Sequence, residues 1–399
     1  MNKLVPARPK RDSSTWAGYF SIATYAWFIY GFSATQALLR DEQGTSRTVS
    51  SVHALVFSLG GIIAGFLGAR FILTMGRGKF LALALLGTTV GILIYTAPGG
   101  FAVTVTGAGL TSFFGTAVVI SASAFLFDYQ KKAGPAALTE ANALAAVAGV
   151  LAPLAIGLGS VLVVGWRTGV WILFGGVVLS LLLMRRNPLV FRVPPDEAMR
   201  EKEHTPFPRV FWWSLLTLFL LLTTEFTLTI WSADLLRERG GFEAGAAAAS
   251  VAAVTGGIFI GRIIGSRFAE YFPVDRILIL AISTAMIGWI IVFVPTQGFF
   301  ILIGLLVSGI GVSLFWPLGV SRVVLASGGQ SDRATAFSTI AGGTAGGVGP
   351  FALGALADTF GVHSAFIFLP IALSLGFLLM ITNPVTKAIA PTTPASSGT

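Results

Sequence analysis

Twelve apolar runs, each about as long as a bilayer is thick, dominate this 399-residue chain. A helix that crosses the hydrocarbon core of a bilayer needs roughly 20 predominantly apolar residues. The runs cover residues 16–38, 49–73, 80–97, 101–127, 136–164, 170–184, 210–236, 246–268, 277–294, 299–325, 335–358 and 364–381. Their length and number predict an all-α membrane protein of about 12 transmembrane helices.

Charge is scarce, which excludes a water-exposed surface for most of the chain. Charged residues make up 11% of the sequence, against about 25% in an average soluble domain. The net charge of +9 would suggest nucleic-acid binding in a soluble protein, but here the basic residues sit in short links between apolar runs. We therefore expect the lipid bilayer as a partner, and no nucleic acid.

No cysteine is present, and the three histidines are scattered along the chain. A disulfide or a thiolate metal site is thereby excluded, and no histidine cluster suggests a metal. We expect neither a metal nor a cofactor.

The basic residues also predict the orientation of the chain. When links are assigned alternately to the two sides, 20 of the 26 Lys and Arg residues fall on the side of the N-terminus and 5 on the other. Basic links are typical of the cytoplasmic side. We expect a multi-pass protein of the cell (inner or plasma) membrane with both termini cytoplasmic. The basic start and first apolar run resemble a signal peptide, but we expect them to be retained, because that run takes part in a repeat.

The repeat has a constant offset of 197 residues. Three short patterns recur at this offset: Leu-Leu-Arg ending at Arg40 and Arg237, Gly-x-Arg-Phe around Arg70 and Arg267, and Pro-x-x-x-Gly starting at Pro153 and Pro350. One match between apolar helices would mean little, but three at one offset indicate an internal duplication.

The duplication divides the chain into two six-helix bundles. We predict a cytoplasmic tail over residues 1–14, a first bundle over 15–186, a second bundle over 210–383 and a second cytoplasmic tail over 384–399. Residues 187–209 are rich in proline and carry mixed charges, which is typical of a cytoplasmic linker. We expect the protein to act as a monomer.

These features resemble the major facilitator superfamily, whose members consist of two six-helix halves related by a direct repeat. The segments most similar to that family's gating-loop motif contain Gly68, Arg70, Gly76 and Arg77 after the second run, and Gly265 and Arg267 after the eighth. Ala69 and Ser266 stand where the family usually carries an Asp. The resemblance implies alternating access and a central cavity lined by the first, fourth, seventh and tenth spans.

Glu225 lies near the centre of the seventh run, among threonines. A carboxylate at this depth is costly unless it is paired, protonated or facing water. Desolvation disfavours its charged form, so a proton could be gained and lost there. We predict Glu225 as the proton-coupling residue, with Thr229 and Ser232 on the same helix face able to hydrogen-bond its side chain. The alternative is a carboxyl group held for structure.

Arg262, within the eighth run, is predicted to be a counter-charge or a site for an anionic substrate group. Helix geometry places it about 10 Å nearer the cytoplasm than Glu225, so a direct pair is not favoured. A packing role is the alternative. Glu140 and Asn142 could line an inner vestibule or cap a helix, and Asp234 is expected to pair with Arg237 at i+3.

Aromatic residues supply further candidates for the substrate cavity. Those in spans that line the cavity of the resembled family are Tyr25, Trp27, Tyr30, Trp231 and Trp316. Stacking on a ring-shaped or cationic substrate would suit them. Packing between helices is the alternative role for each.

Together, these residues predict a secondary active transporter that carries a small organic solute by alternating access, coupled to protons. Proton-driven efflux of amphipathic or cationic drug-like compounds is the main alternative, followed by a sugar-type importer and a channel. The chain has no G-x-x-x-x-G-K-[ST] loop for a primary pump, and no catalytic cluster for an enzyme.

Overall fold

A computed structural model describes residues 9–187, 206–268 and 272–385. Within these ranges the chain is α-helical, with no strand. The helices are α1 (Ser13–Gln43), α2 (Arg47–Ser50), α3 (Val52–Met75), α4 (Arg77–Tyr95), α5 (Phe101–Gln130), α6 (Gly134–Gly159), α7 (Arg167–Arg186), α8 (Arg209–Gly240), α9 (Ala244–Phe268), α10 (Val274–Phe293), α11 (Gly298–Val312), α12 (Phe315–Leu325), α13 (Ser331–Phe360), α14 (Val362–Ala365) and α15 (Phe368–Thr382).

These helices form twelve spans, six in each half, because α2 continues into α3, α11 into α12 and α14 into α15. Eleven spans are long and apolar enough to cross a bilayer. The exception, α1, has 31 residues but is rich in Ser, Thr and Tyr. It packs against α5, α6, α7, α8 and α9, so most of its residues are buried in protein instead of facing lipid. The predicted all-α fold of about 12 spans is confirmed.

Two predicted spans differ in detail from the structure. Helix α6 ends at Gly159, and residues 161–164 form an exposed apolar turn, so the predicted run 136–164 was too long. The tenth run, 299–325, is broken between α11 and α12, ahead of Pro317. Proline cannot donate a backbone hydrogen bond, which favours such a break.

The repeat is visible in how the two halves are built. Helices α1 and α8 are capped at their C-terminal ends by Gly44 and Gly241, which lie 197 residues apart and both adopt left-handed φ angles, +60° and +68°. This conformation is open to glycine, because a side chain would clash there. The same capping geometry therefore ends the first span of each half.

Equivalent glycines also set the contacts between the halves. A Cβ atom added at Gly157 in α6 would lie 2.6 Å from the carbonyl oxygen of Gly245 in the second half. One added at Gly354 in α13 would lie 3.0 Å from the carbonyl oxygen of Arg47 in the first half. Small residues let helix backbones approach closely in this way. The halves thus meet through two contacts related by the repeat.

Because each half crosses the bundle six times, Pro9 and Val385 lie at the same end of the bundle, which we call the termini end. Within each half, an ion pair at this end joins the third span to the fourth, with the charges reversed between halves. The pairs are Arg77 with Asp128, and Asp275 with Arg322 at 2.9 Å. Arg322, near the end of α12, is only 1% exposed, and it also donates to Ser214 Oγ and to the Asn383 carbonyl.

At the opposite end, which we call the far end, ion pairs join the two halves. Arg40 pairs with Asp234, and Asp41 pairs with Arg237 at 2.6 Å. The expected pairing of Asp234 with Arg237 was therefore wrong. Each of these side chains reaches across the interface between the halves.

Two further contacts reinforce this end. Arg47 pairs with Glu238 at 3.0 Å, and Asp358 accepts hydrogen bonds from the backbone N–H groups of Arg47 and Thr48. Arg47 also donates to the Ala357 carbonyl, and the Ser51 hydroxyl donates to the Pro350 carbonyl, so the far end carries many contacts between the halves. The molecule is therefore closed at that end.

The predicted boundaries between tails, bundles and linker stay predictions. Most of the linker 187–209 and most of the tails 1–14 and 384–399 lie outside the described residues.

Candidate functional site

A cavity of about 380 Å³ lies between the two halves. Its lining comes from α1, α3 and α5 of the first half and from α8, α9, α12 and α13 of the second. This set includes the first, fourth, seventh and tenth spans expected from the resemblance, and adds the second, eighth and eleventh. The volume falls within the range of roughly 300–1,000 Å³ typical of small-molecule sites.

Glu225 is the only acidic residue among the described residues that line the cavity. Its side chain is 9% exposed, and its Oε2 atom has no hydrogen-bond partner among the described residues. The Thr229 hydroxyl donates to the Glu225 carbonyl oxygen at 2.8 Å, and the Ser232 hydroxyl to the Thr229 carbonyl at 3.1 Å. These hydroxyls satisfy backbone oxygens, so the expectation that they would bond the Glu225 carboxyl was wrong.

Arg262 is the only basic residue in the same lining. It lies on α9, about one helical turn beyond Ile258, and its guanidinium interacts electrostatically with the Tyr30 hydroxyl and the Glu225 carboxylate. No ion pair joins Arg262 to any described carboxylate. The two charged groups of the cavity thus influence each other without forming a direct pair.

Three cavity aromatics are positioned by glycines on neighbouring helices. At each of these glycines an added Cβ atom would clash with the aromatic ring, so the ring lies where only a glycine leaves space. The pairs are Tyr25 with Gly115 of α5, Tyr30 with Gly149 of α6, and Trp316 with Gly342 of α13. All three rings line the cavity, as does Thr229.

Three other cavity candidates lie outside this lining. The indole N–H of Trp27 donates to the Gly169 carbonyl at 2.9 Å, and that of Trp231 to the Pro350 carbonyl at 3.0 Å. Both rings therefore pack between helices, which is the alternative that the sequence left open. Ser232 is fully buried.

Glu140 and Asn142 also lie away from the cavity. Glu140 accepts hydrogen bonds from Arg11 at 2.7 Å and from the Tyr19 hydroxyl at 2.9 Å. It thereby ties the start of the chain to α6 at the termini end. Asn142 is exposed and donates to the Leu138 carbonyl of its own helix at 2.8 Å.

The gating-loop candidates form a tight connection between α3 and α4. Gly68 and Arg70 lie on α3, and Gly76, with φ of +78°, is the single residue between the two helices. Arg77 pairs with Asp128 of its own half. In the second half, Gly265 packs against Leu314, and the side chain of Arg267 lies outside the described part.

The cavity wall formed by α3 and α13 was not predicted from the sequence. Its residues are Phe57, Ser58, Gly61, Thr339, Gly342, Gly343 and Gly346. The available signal was the spacing of the glycines in the eleventh run, which places several on one helix face. There α13 comes close to α3, since a Cβ atom at Gly347 would lie 3.2 Å from the Leu55 backbone.

Comparison with known proteins agrees with this architecture. The sequence profile of the Major Facilitator Superfamily matches residues 16–273 and 243–397. No curated protein sequence shows significant similarity to the chain.

Solved structures with the same fold include three transporters. A bacterial homologue of the human lysosomal transporter Spinster, inward-facing and unoccupied, is 15% identical with a TM-score of 0.71, over 93% of this chain and 96% of that one. The nucleoside transporter NupG is 10% identical with a TM-score of 0.76, over 93% and 99%. The peptide transporter POT in complex with alafosfalin is 15% identical with a TM-score of 0.76, over 95% and 96%.

At these identities the structural likeness shows the fold alone, whereas the profile covers nearly the whole chain and shows the family. With its twelve spans, its internal repeat and its cavity between the halves, the chain belongs to the Major Facilitator Superfamily.

Proposed function

We propose that this transporter moves a small organic solute by alternating access and couples that movement to protons through Glu225. The observation that carries the proposal is the position of this carboxyl group. It is the only acidic group in the lining of the described cavity, and its Oε2 atom is buried without a partner.

A buried carboxylate without a partner is costly, whereas its protonated form is neutral. Alternating access would open the cavity to one compartment and then to the other. Glu225 could bind a proton on one side and release it on the other. A proton gradient could drive solute movement in this way, without a nucleotide or a catalytic step.

The charge distribution supports an orientation with both termini in the cytoplasm of a cell (inner or plasma) membrane. In that orientation the far end faces outward, and the closed far end corresponds to a state closed to the outside. One chain supplies both halves of the cavity wall, which supports a monomeric transporter.

Efflux of amphipathic or cationic compounds uses the same site and is the second candidate. The aromatic rings and the Glu225 carboxylate would attract a cation. Arg262 in the same cavity would repel it, so a cationic substrate is disfavoured.

The test is transport by the Glu225→Gln variant in proteoliposomes with an imposed pH gradient. The solute is the library compound that most raises the thermal stability of the purified protein, since a ligand at about 100 times its Kd stabilises by about 2.7 kcal/mol. We expect the variant to fold and to exchange solute for solute, but to lose gradient-driven accumulation.

Glu243→Gln makes the same chemical change at an exposed residue and serves as the control. It should accumulate solute like the wild type. Full gradient-driven accumulation by Glu225→Gln would remove Glu225 from the coupling mechanism.

A further inference from the structure

Arg262 provides a positive charge in the cavity with no direct counter-ion. It is the only basic residue in the described lining, and no described carboxylate forms an ion pair with it. A guanidinium stays protonated in proteins, and its planar fork matches a carboxylate through two parallel hydrogen bonds. The cavity therefore contains an anion-binding group that is in contact with Tyr30 but is not directly paired with a carboxylate of the described chain.

The charge balance of the cavity depends on Glu225. When Glu225 is ionised, its negative charge offsets Arg262 across the cavity. When Glu225 is protonated, Arg262 is the only charge left in the described lining. An anion in the cavity would then restore neutrality, and buried charges are stable only when they are compensated.

The surroundings of Arg262 divide into a polar corner and an apolar wall. The Tyr30 hydroxyl lies beside the guanidinium, and its ring is seated on Gly149. The rings of Phe57, Phe226 and Trp316 line the same cavity, with Trp316 39% exposed. An aromatic or aliphatic body would bury apolar surface against these rings.

We propose that the substrate is a small organic monoanion whose carboxylate binds Arg262 and Tyr30, while its apolar body packs against the aromatic wall. This inference rests on the transport function proposed above. The anion enters together with the proton on Glu225, so that one positive and one negative charge move across the membrane in each cycle. Transport of the pair is electroneutral.

Three compounds that share a phenyl ring on a three-carbon chain, but differ in their head groups, test the site. They are 3-phenylpropionate, its neutral amide 3-phenylpropanamide, and the cation 3-phenylpropylamine, each titrated against the purified full-length protein by thermal shift. We expect the carboxylate to bind at least tenfold more tightly than either analogue. A hydrogen-bonded charged pair is worth this discrimination.

Variants of Arg262 test whether this residue binds the carboxylate. Arg262→Gln should weaken binding of 3-phenylpropionate at least tenfold and leave the amide unchanged. Arg262→Lys, which keeps the charge but loses the fork, should retain part of the affinity. Arg276→Gln removes a positive charge at an exposed position and should bind like the wild type. An unfolded Arg262→Gln protein would leave the Lys variant and the three-compound comparison as the deciding measurements.

Three results would overturn the inference. The amide or the amine could bind as tightly as the carboxylate, Arg262→Gln could bind it with unchanged affinity, or none of the three could shift the melting temperature. In proteoliposomes, uptake of 3-phenylpropionate driven by a pH gradient should not change when valinomycin and potassium set the membrane potential. Uptake that follows the potential would also contradict electroneutral coupling.

The two proposals can fail separately. If a library solute accumulates through Glu225 but 3-phenylpropionate does not bind through Arg262, the anion site is wrong and proton-coupled transport stands. If 3-phenylpropionate binds through Arg262 but no pH gradient drives any solute, the anion site stands and the proposed coupling fails.

Discussion

The positions of two cavity tyrosines depend on glycines that lie outside the cavity lining. Tyr30 can lie beside Arg262 because Gly149 leaves room for its ring, and a Cβ atom there would come within 2.7 Å of a ring carbon. Tyr25 is seated in the same way on Gly115, and its hydroxyl lies 3.4 Å from Thr116 Oγ1. Two tyrosines of one helix thus present their hydroxyls to different parts of the cavity.

This difference gives a matched pair of substitutions. Tyr30→Phe keeps the ring on its glycine but removes the hydroxyl beside Arg262, so the affinity for 3-phenylpropionate should fall about tenfold. Tyr25→Phe removes a hydroxyl that faces Ser112 and Thr116, and should change the affinity less than twofold by the same reasoning. The measurement is a thermal-shift titration of both variants. Equal losses in the two would show that Tyr30 has no special role.

At this scale the sequence predicted the charged residues but not their partners. Glu225 and Arg262 stand out because charges are rare inside apolar runs, and both line the cavity. The interactions of Thr229 and Ser232 could not be predicted, because a hydroxyl in a helix can satisfy its own backbone carbonyl instead of a neighbouring side chain.

At the scale of elements, α1 and α8 close the far end through reciprocal ion pairs. Arg40 and Arg237, which are 197 residues apart, each pair with an acidic residue of the other half. The Arg40–Asp234 pair is nearly buried, with side chains 11% and 4% exposed. Removing one partner of a buried ion pair costs about 3–5 kcal/mol. These pairs should stabilise the state that is closed at the far end.

Asp234→Asn should therefore open the far end more often. In a Ser33→Cys background, an impermeant thiol reagent applied outside intact cells should label the cavity cysteine several-fold faster than without Asp234→Asn. The protein has no other cysteine. Asp275→Asn breaks an ion pair with a buried arginine at the termini end and should not speed labelling. Equal labelling with and without Asp234→Asn would contradict this role of the pair.

The ion-pair partner of Asp234 could not be predicted from the sequence of one helix alone. Spacing along α8 favours Arg237, three residues away, but both side chains face the other half. Contacts between halves depend on how two distant segments meet in one conformational state. The local sequence contains no information about that state.

For the whole molecule, the sequence was sufficient to predict the fold. Bilayer thickness fixes the length of each span, and the 197-residue offset relates the halves, so the α6–α9 contact at Gly157 has its counterpart at Gly354. Even α1, too polar to qualify as a span by composition, was predicted as an apolar run over residues 16–38, and its place in the repeat argued against a cleaved signal peptide. Its polarity is tolerated because it is buried among α5, α6, α7, α8 and α9.

The central claim is that solute and proton move together through Glu225. Its most direct test is proton flux driven by solute, measured with a pH-sensitive dye trapped in proteoliposomes that start without a pH gradient. The solute that most stabilises the purified protein is added outside, with the membrane potential held at zero by valinomycin and potassium. For the wild type we expect a change in internal pH that depends on the solute gradient, and for Glu225→Gln solute exchange without that change. Proton movement of equal size in both proteins would contradict the account.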